Sequence, residues 1–397
     1  MARLWDKGSP LNEQILRYTA GEDHLLDARL VAYDVAGSKA HANMLAAQGL
    51  IGHGDAAAIN TGLDQLAAGY AAGEWTIGLE DEDVHTALES RLTAAIGAPG
   101  GRLHLGRSRN DQVLTALRLY LKDVCAELAA EASGVVDALQ RLAVRQGDVA
   151  LPGYTHLQQA MPSSVALWAQ GYAAEIHDDG IGISSVQRRV DRSPLGSAAG
   201  YGVPGLPLDR LHTQKSLEFA VVHEPVTAVQ LSRGKAEAEL VLQMLLLLND
   251  LGRLASDLLL FYTREFSYVS LPESMTTGSS IMPQKRNPDV LELVRSAGAV
   301  AQAALTEIVA ITAKLTSGYH RDLQRIKAPL FRTIDLTLDS TAIMAQTLDG
   351  VEFIADNIVL DEGLYAAERA NRLVVEEGIP FREAYQRVAA ELESERE

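Results

Sequence analysis

Three polar segments of this 397-residue chain carry the side chains that could do chemistry. They occupy residues 104–112, 153–159 and 276–288, and each combines small hydroxyl side chains with amide or cationic donors. Such donors bind carboxylates and stabilise negative charge that develops during a reaction. Because binding groups concentrate in loops on rigid scaffolds, the three segments predict a site for an anionic small molecule.

The first segment contains two arginines, Arg107 and Arg109, whose forked guanidinium groups suit carboxylates. Ser108 and Asn110 add neutral donors beside them. A structural interpretation is also open, in which the segment is a solvated helix start with Asn110 or Asp111 as its N-cap. The segment alone does not decide between the two.

The second segment places Thr155 and His156 shortly before a long helical stretch. A lone histidine is usually structural. Here its hydroxyl and amide neighbours favour a general acid–base, or a group that orients a substrate carboxylate.

The third segment is a Gly- and Ser-rich loop that includes Ser279 and is stiffened by Pro283. Lys285 and Asn287 stand two residues apart, just before Pro288 begins a helix. A hinged hydroxyl-rich loop beside a fixed cation is typical of a lid over an anionic substrate, although an ordinary helix–helix loop is the plain alternative.

The elements that must position these segments are predicted to be long helices. Apolar residues make up 47% of the chain and aromatic residues only 5%, so the apolar content lies in Ala, Leu and Val, and the first two favour helix. Such long helices need neighbours along their length, which predicts an all-α fold with an elongated central bundle and smaller helical domains at each end. The long helical stretches are residues 111–147, 162–190, 226–266, 288–316 and 328–350.

The predicted division has three parts. Residues 1–104 form an N-terminal helical domain, and residues 105–350 form the central long-helix bundle that carries the third segment. Residues 351–397 form a short C-terminal helical domain. Excess apolar residues near the middle of the bundle predict that several subunits pack together.

Charge and cysteine content exclude several classes of protein. With 35 Lys and Arg against 52 Asp and Glu, the formal net charge is −17, which argues against nucleic acid and membrane as partners. A single cysteine, Cys125, cannot form an internal disulfide, which favours a cytoplasmic location. The sequence has no Cys/His cluster with ligand spacing and no Gly-rich phosphate loop, so we expect neither a metal nor a cofactor.

The third segment contains Gly-Ser-Ser-x-Met-Pro-x-Lys-x-Asn-Pro at 278–288, which resembles the signature of the aspartase/fumarase superfamily. Further motifs are similar to those of its argininosuccinate lyase family. They are Glu-Asp-Val-His at 82–85, Ser-Arg-Asn-Asp-Gln at 108–112, Gly-Tyr-Thr-His-Leu-Gln at 153–158 and Pro-Leu-Gly-Ser at 194–197. The resemblance runs in order from about Trp5 to Tyr385.

The resemblance implies a lyase that cleaves argininosuccinate to arginine and fumarate by β-elimination. It also implies a homotetramer in which each active site takes the three segments from three different subunits. Ser279 would be the base, with His156 and Lys285 as the other catalytic residues. The residues implied in substrate binding are Asp27, His85, Ser108, Arg109, Asn110, Thr155, Asn287, Tyr319, Gln324 and Lys327.

The chain departs from the family pattern in places that leave the substrate open. Residues 226–235 replace the family's Asn-Ser-x-Asp-Ala and Ser-x-Arg-Asp, Asp23 stands where the family has a serine, and the chain stops at Glu397. One alternative is a sister lyase that releases fumarate from another N-succinyl compound. The other is a non-catalytic, crystallin-like descendant, against which intact Ser279 and Lys285 argue.

Overall fold

A computed structural model of the chain describes residues 12–396, with side chains described up to residue 394. Within this range the protein is mostly helical. The α-helices are α1 (Glu13–Ala20), α2 (Asp23–Leu26), α3 (Val31–Ala47), α4 (His53–Ala71), α5 (Val84–Ile96), α6 (Ala98–Gly101), α7 (Arg109–Gln146), α8 (Val165–Ser185), α9 (Gln187–Val190), α10 (Arg210–Ser216), α11 (Ala228–Leu231), α12 (Lys235–Tyr262), α13 (Asp289–Thr312), α14 (Lys327–Gly350), α15 (Ala366–Glu377) and α16 (Phe381–Arg396).

Short 3₁₀ turns and four two-stranded sheets complete the described chain. The strands pair as β1 (Ala150–Thr155) with β2 (Gln158–Ser164), β3 (Arg192–Ser193) with β4 (Val221–Val222), β5 (Val269–Ser270) with β8 (Glu352–Phe353), and β6 (Thr277–Gly278) with β7 (Arg286–Asn287). Only β3–β4 is parallel. The 3₁₀ turns are Asp27–Leu30, Leu79–Asp81, Glu273–Met275, Arg321–Ile326, Ala355–Asn357 and Glu362–Tyr365.

The described residues form two compact units. Unit one contains the residues up to Ala129, together with Ile181–Leu245 and Ala299–Leu336. Unit two contains Ala130–Gly180, Leu246–Gly298 and the residues from Thr337 onward. The all-α prediction is confirmed, whereas the three-part domain division stays a prediction, and its residues 1–11 lie outside the described chain.

The length of α7 follows from its sequence, since 38 residues run without proline. It ends where Gly147 follows, and a Cβ at this position would lie 2.1 Å from the carbonyl oxygen of Ala143. Only glycine fits such an approach, so the helix stops close to the predicted end.

Helix α12 shows why these helices need neighbours. Six of its fully buried apolar side chains recur at alternating spacings of four and three, the pattern of helices packed along a seam. They are Leu240, Met244, Leu247, Leu251, Leu254 and Leu258, and Val241 and Ala255 beside them are also fully buried. The predicted helix over residues 226–266 is nevertheless wrong at its start, because Gly234 has a φ of 83° and separates the short α11 from α12.

The predicted helix over residues 162–190 is also wrong at its start. Residues up to Ser164 form β2, and α8 begins at Val165. The second polar segment is therefore the tip of a hairpin rather than a loop leading straight into a helix.

Candidate functional site

The first segment begins helix α7, and Ser108 is its cap. The Asn110 amide donates to Ser108 Oγ at 3.3 Å, and the Ser108 amide donates to Asp111 Oδ1 at 3.0 Å. This reciprocal arrangement satisfies amide groups at the helix start. The segment is thus a capped helix start, with Ser108 rather than Asn110 or Asp111 as the cap. The expectation that it is solvated is wrong, because Arg107, Asp111 and Gln112 are buried.

Asp111 fixes a second loop to this helix start. Its buried Oδ2 accepts from the amides of Gly196 and Ala198, at 2.9 and 2.8 Å. Burial raises the pKa of Asp111, although the amide donors act in the opposite direction. The carboxyl therefore serves as a structural acceptor for the 194–198 loop.

Arg109 reaches into a cavity of about 80 Å³ within unit one. Its guanidinium pairs with Asp83 and lies 3.7 Å from Glu82 Oε2. Burial favours the neutral form of Arg109, but these two carboxylates outweigh it and raise its pKa. The side chain is held in place before any ligand arrives. The predicted residues that line this cavity are Arg109, Asn110, Tyr319, Gln324 and Lys327.

Lys327 enters the same cavity as a buried ammonium shared by two carboxylates. Its Nζ lies 2.6 Å from Asp27 Oδ1 and 2.9 Å from Asp23 Oδ1. Burial opposes the charge of Lys327, yet the two aspartates raise its pKa and keep it protonated. Burial together with the charge of Asp27 outweighs the attraction of Lys327 and raises the pKa of Asp23 to about 6. One ammonium thus cannot fully compensate two buried acids.

Asp27 and His85 lie in the interior near this cavity without lining it. His85 Nδ1 makes a short contact with Asp34. Asp34 also accepts a hydrogen bond from the side-chain amide of Gln112, whose Nε2 lies 3.0 Å from Oδ1. Burial favours neutral imidazole, but the charges of Asp34, Asp83 and Asp27 raise the pKa of His85. The role predicted for Asp27 and His85 in substrate binding stays a prediction.

Arg107, by contrast with Arg109, is buried away from the cavity. It is 6% exposed and donates from Nη1 to Ser38 Oγ at 2.8 Å. Of the two arginines in the first segment, only Arg109 is placed to meet a ligand in this cavity.

Among the described residues, Asp27, Asp83 and His85 bring one potential metal-ligand atom each within 4.8 Å of one another. Asp27 already binds Lys327, Asp83 already binds Arg109, and the raised pKa of His85 favours a charged ring. Because metal ligands must be deprotonated and unpaired, this donor set does not fit a resident metal.

Gln324 and Arg321 connect the cavity to the N-terminal helix. Gln324 Nε2 donates to the carbonyl oxygens of Thr19 and Ala20, at 3.0 and 2.9 Å. Its Oε1 accepts from Arg321 Nε at 3.1 Å. These bonds hold the start of the chain's described region against the 3₁₀ turn over residues 321–326.

Thr155 and His156 occupy the tip of the β1–β2 hairpin in unit two, and both side chains are exposed. Thr155 pairs with Gln158, so His156 and Leu157 form a two-residue loop with φ values of 55° and 59°. Positive φ at both positions belongs to the tight turn that matches strand twist. Non-glycine residues there cost free energy, which is often stored at functional sites.

The hairpin is anchored so that its tip has a defined direction. The hydroxyl of Tyr154 lies 3.2 Å from that of Tyr268, and its ring packs edge-on against Phe266. The Gln159 amide donates to the Val359 carbonyl at 3.0 Å. The strained turn is therefore supported by contacts on both strands.

The third segment is a second hairpin in unit two, with β6 and β7 as its arms and residues 279–285 as its loop. Thr277 Oγ1 makes a short contact with Asp289 and lies 3.4 Å from Asn287 Nδ2. Lys285, the last residue of the loop, is exposed. The base of the loop is thus fixed by side chains, while its tip faces solvent.

Ser279 is at the start of that loop and accepts two backbone donors. The amides of Met282 and Ile281 lie 3.1 and 3.3 Å from its Oγ. Amides aimed at a hydroxyl oxygen stabilise negative charge on it, as an oxyanion hole does. A serine held in this way ionises more readily than a free one.

The predicted site residues therefore fall into two groups. Unit one contains Asp27, His85, Ser108, Arg109, Asn110, Tyr319, Gln324 and Lys327, whereas unit two contains Thr155, His156, Ser279, Lys285 and Asn287. Sequence reasoning missed Asp83 and Arg321 in the cavity lining. Asp83 lies inside the Glu-Asp-Val-His motif, which was the available signal. Arg233 also lines the cavity, in a stretch noted only as a departure.

Comparison with known proteins gives a consistent result over nearly the whole chain. A model of a family described as "Lyase" matches residues 15–303. The chain is 45% identical over 392 residues to an argininosuccinate lyase of Sorangium cellulosum, which covers 98% of this chain and 90% of that protein. It is 41% identical over 390 residues to an argininosuccinate lyase of Xanthomonas axonopodis, which covers 97% and 89%.

A solved structure agrees in fold. The crystal structure of EDDS lyase in complex with formate superimposes with a TM-score of 0.81 at 25% sequence identity. The match covers 96% of this chain and 76% of that one.

Proposed function

The chain belongs to the lyase family of the aspartase/fumarase superfamily, and we propose that it cleaves argininosuccinate to arginine and fumarate, a carbon–nitrogen lyase reaction of arginine biosynthesis. The observation that carries this proposal is the 45% identity to an argininosuccinate lyase over 98% of the chain.

The reaction begins with removal of a carbon-bound proton next to a carboxylate, and Ser279 is the proposed base. The two amides that face its Oγ favour the ionised hydroxyl, which a serine otherwise forms poorly. The electron pair left on carbon is delocalised into the neighbouring carboxyl group. Lys285 and Asn287, with the hydroxyls and amides of Ser108, Asn110 and Thr155, would hold that charge.

The bond that breaks joins carbon to a guanidinium nitrogen, and the leaving group departs as protonated arginine. His156 would orient or protonate it, and its position at a tight hairpin tip supports a fixed direction for the ring. Arg109, Tyr319, Gln324 and Lys327, which line one cavity, would hold the arginine part of the substrate.

A homotetramer with shared active sites is part of the proposal. Helix α13 is apolar enough in length and composition to pass for a membrane span, yet only 33% of its most apolar stretch is buried in this chain. Leu293 on this helix is 70% exposed, and Leu246 on α12 is 45% exposed. Packing against further copies would cover these side chains, and we expect size-exclusion chromatography with light scattering to give about four times the chain mass of 42.7 kDa. As part of the same proposal, the enzyme acts in the cytoplasm on a small-molecule substrate.

The test follows fumarate release from argininosuccinate by ultraviolet absorbance. We expect turnover by the wild type and a loss of about 100- to 10,000-fold in Ser279→Ala, the range for removing a positioned base. Ser280→Ala is the matched control, because it removes the adjacent hydroxyl and should retain most activity.

Two other results would reject the proposal. Release of fumarate only from another N-succinyl compound would identify a sister lyase. No release from any N-succinyl compound by a folded tetramer would identify a binding protein without this activity.

A further inference from the structure

Arg233 lines the cavity of unit one, and we propose that it binds the carboxylate at the arginine end of the substrate. This inference rests on the proposed function, because it names the subsite for one group of argininosuccinate. Arg233 lies in the stretch where the chain departs from the family pattern, so the resemblance assigns it no role.

The guanidinium of Arg233 is buried without adequate partners. The residue is 6% exposed, and its Nε and Nη1 make no hydrogen bond to any described residue. The nearest carboxylate oxygen in an ion pair, Glu237 Oε1, lies 3.9 Å from Nε, beyond hydrogen-bond distance. A buried guanidinium whose N–H groups lack acceptors destabilises the fold unless a ligand supplies those acceptors.

The other cations of the cavity are already engaged. Arg109 pairs with Asp83, and Lys327 pairs with Asp27 and Asp23. Arg321 Nη2 donates to the carbonyl oxygen of Thr19 at 2.7 Å and lies 3.6 Å from a carboxylate oxygen of Glu82. Among the cationic side chains of this lining, Arg233 is thus the one with capacity for an added carboxylate.

Positive charge also exceeds negative charge behind Arg233. Burial lowers the pKa of Arg118 to about 10. The charge of Glu237 opposes this effect, whereas the charges of Arg233 and Arg192 add to it. Glu237 is 2% exposed and faces both Arg118 and Arg233. Because one carboxylate cannot neutralise two guanidinium groups, an anion from outside the chain would complete the charge balance.

The neighbours of Arg233 in the cavity lining favour the amino-acid end of the substrate. Asp23 in the same lining offers a carboxylate to the ammonium of that head group, while the planar fork of Arg233 suits its carboxylate.

The experiment compares binding of arginine with binding of agmatine, which is arginine without its carboxylate, by calorimetry on the full chain. The variants are Arg233→Met, which removes the charge, and Arg233→Lys, which keeps charge but loses the fork. Arg188→Met is the matched control, because its side chain is 70% exposed on α9. Argininosuccinate kinetics and melting temperatures are measured on the same samples.

We expect the wild type to bind arginine about 10- to 100-fold more tightly than agmatine, the range for one hydrogen-bonded charged pair. Arg233→Met should lose that preference with agmatine binding unchanged, and Arg233→Lys should keep part of it. KM for argininosuccinate should rise in Arg233→Met with little change in kcat. Arg188→Met should match the wild type.

Two results would overturn the inference. The first is an unchanged arginine preference in Arg233→Met, with or without a lower melting temperature. The second is a wild type without preference for arginine over agmatine. A wild type that shows the Arg233-dependent preference but releases no fumarate from argininosuccinate would reject the proposed function and leave the inference standing.

Discussion

Replacing Asp23 by Asn tests the charge balance of the unit-one cavity, because Asp23 and Asp27 share one ammonium group. Lys327 Nζ is closer to Asp27, at 2.6 Å, than to Asp23, at 2.9 Å. Burial and the charge of Asp27 outweigh the pull of Lys327 and raise the pKa of Asp23 to about 6. At neutral pH the ionised carboxylate of Asp23 therefore destabilises the folded state, and replacement by Asn would remove that destabilisation.

The size and sign of the effect follow from linkage. An unperturbed Asp has a pKa of 3.8, so the folded chain raises it by about 2 units, worth about 3 kcal/mol. The folded state binds the proton more tightly, so this stabilisation is complete below pH 3.8 and is lost as the pH rises through 6. An Asn side chain cannot ionise, so the variant loses no stability as the pH rises. At pH 4 an unperturbed Asp is already more than half ionised, so the variant should gain about 2–3 kcal/mol relative to wild type between pH 4 and pH 7.

The assay is thermal unfolding followed by circular dichroism at one protein concentration across this pH range. With an unfolding entropy of about 2 cal/mol/K per residue, 2–3 kcal/mol corresponds to about 3 °C for this chain. The melting-temperature difference between Asp23→Asn and wild type should grow by that amount from pH 4 to pH 7. Asp137→Asn, at an exposed carboxylate on α7, should show no such trend. Parallel pH profiles for Asp23→Asn and wild type would refute the reasoning.

Two further predictions follow from fixed side chains at the site. Lys327→Met should lower the free energy of unfolding by about 3–5 kcal/mol in urea titrations, because it leaves two buried acids without a counter-charge. Lys39→Met, whose partner Asp64 is 61% exposed, should change it by less than about 1 kcal/mol, and equal effects would contradict the argument. Thr277→Val should reduce kcat about 10- to 100-fold with the melting temperature retained, because the base of the 279–285 loop loses its link to Asp289. Thr276→Val, whose hydroxyl bonds only locally to Glu273, serves as its control, and an unchanged kcat in Thr277→Val would exclude this role.

The long helices could be predicted from the sequence because their signals are local. Breakers mark the ends of α7, α13 and α14 to within a few residues, and the apolar spacing within each helix requires packed neighbours. Gly234 was the exception, since a positive φ cannot be told from a tolerated helical glycine by sequence alone.

The β1–β2 hairpin could not be predicted in the same way. Its second strand, Gln158–Ser164, is polar and contains Pro162, so it has neither the alternation nor the composition of a strand. The pairing depends on contacts distant in sequence, such as that of Tyr154 with Tyr268. The tight turn at His156 and Leu157 also lacks the glycine that usually marks it.

Site residues were predicted by motif, but the ionic contacts that orient them were not. Lys327 and Asp27 are 300 residues apart, and His85 and Asp34 are 51 apart. No periodicity connects such positions. Arg233 was missed for a further reason, because its significance lies in partners that it lacks, which only a three-dimensional arrangement reveals.

An acidic chain can still bind a substrate with several carboxylates, because the local charges decide. At physiological ionic strength, exposed charges farther away than about 8 Å are largely screened. Arg109, Arg233, Arg321 and Lys327 line the cavity together with Asp23 and Asp83. Asp27, Glu82 and Glu237 face the same cations from outside the lining. Buried charges act through a lower dielectric than water, so these nearby groups decide what binds there, rather than the distant net charge of −17. The two acids in the lining have a separate effect, because Asp83 holds Arg109 and Asp23 helps to hold Lys327 in a fixed position. A carboxylate ligand therefore meets donors already oriented, and it gains most from Arg233, whose Nε and Nη1 have no hydrogen-bond partner among the described residues.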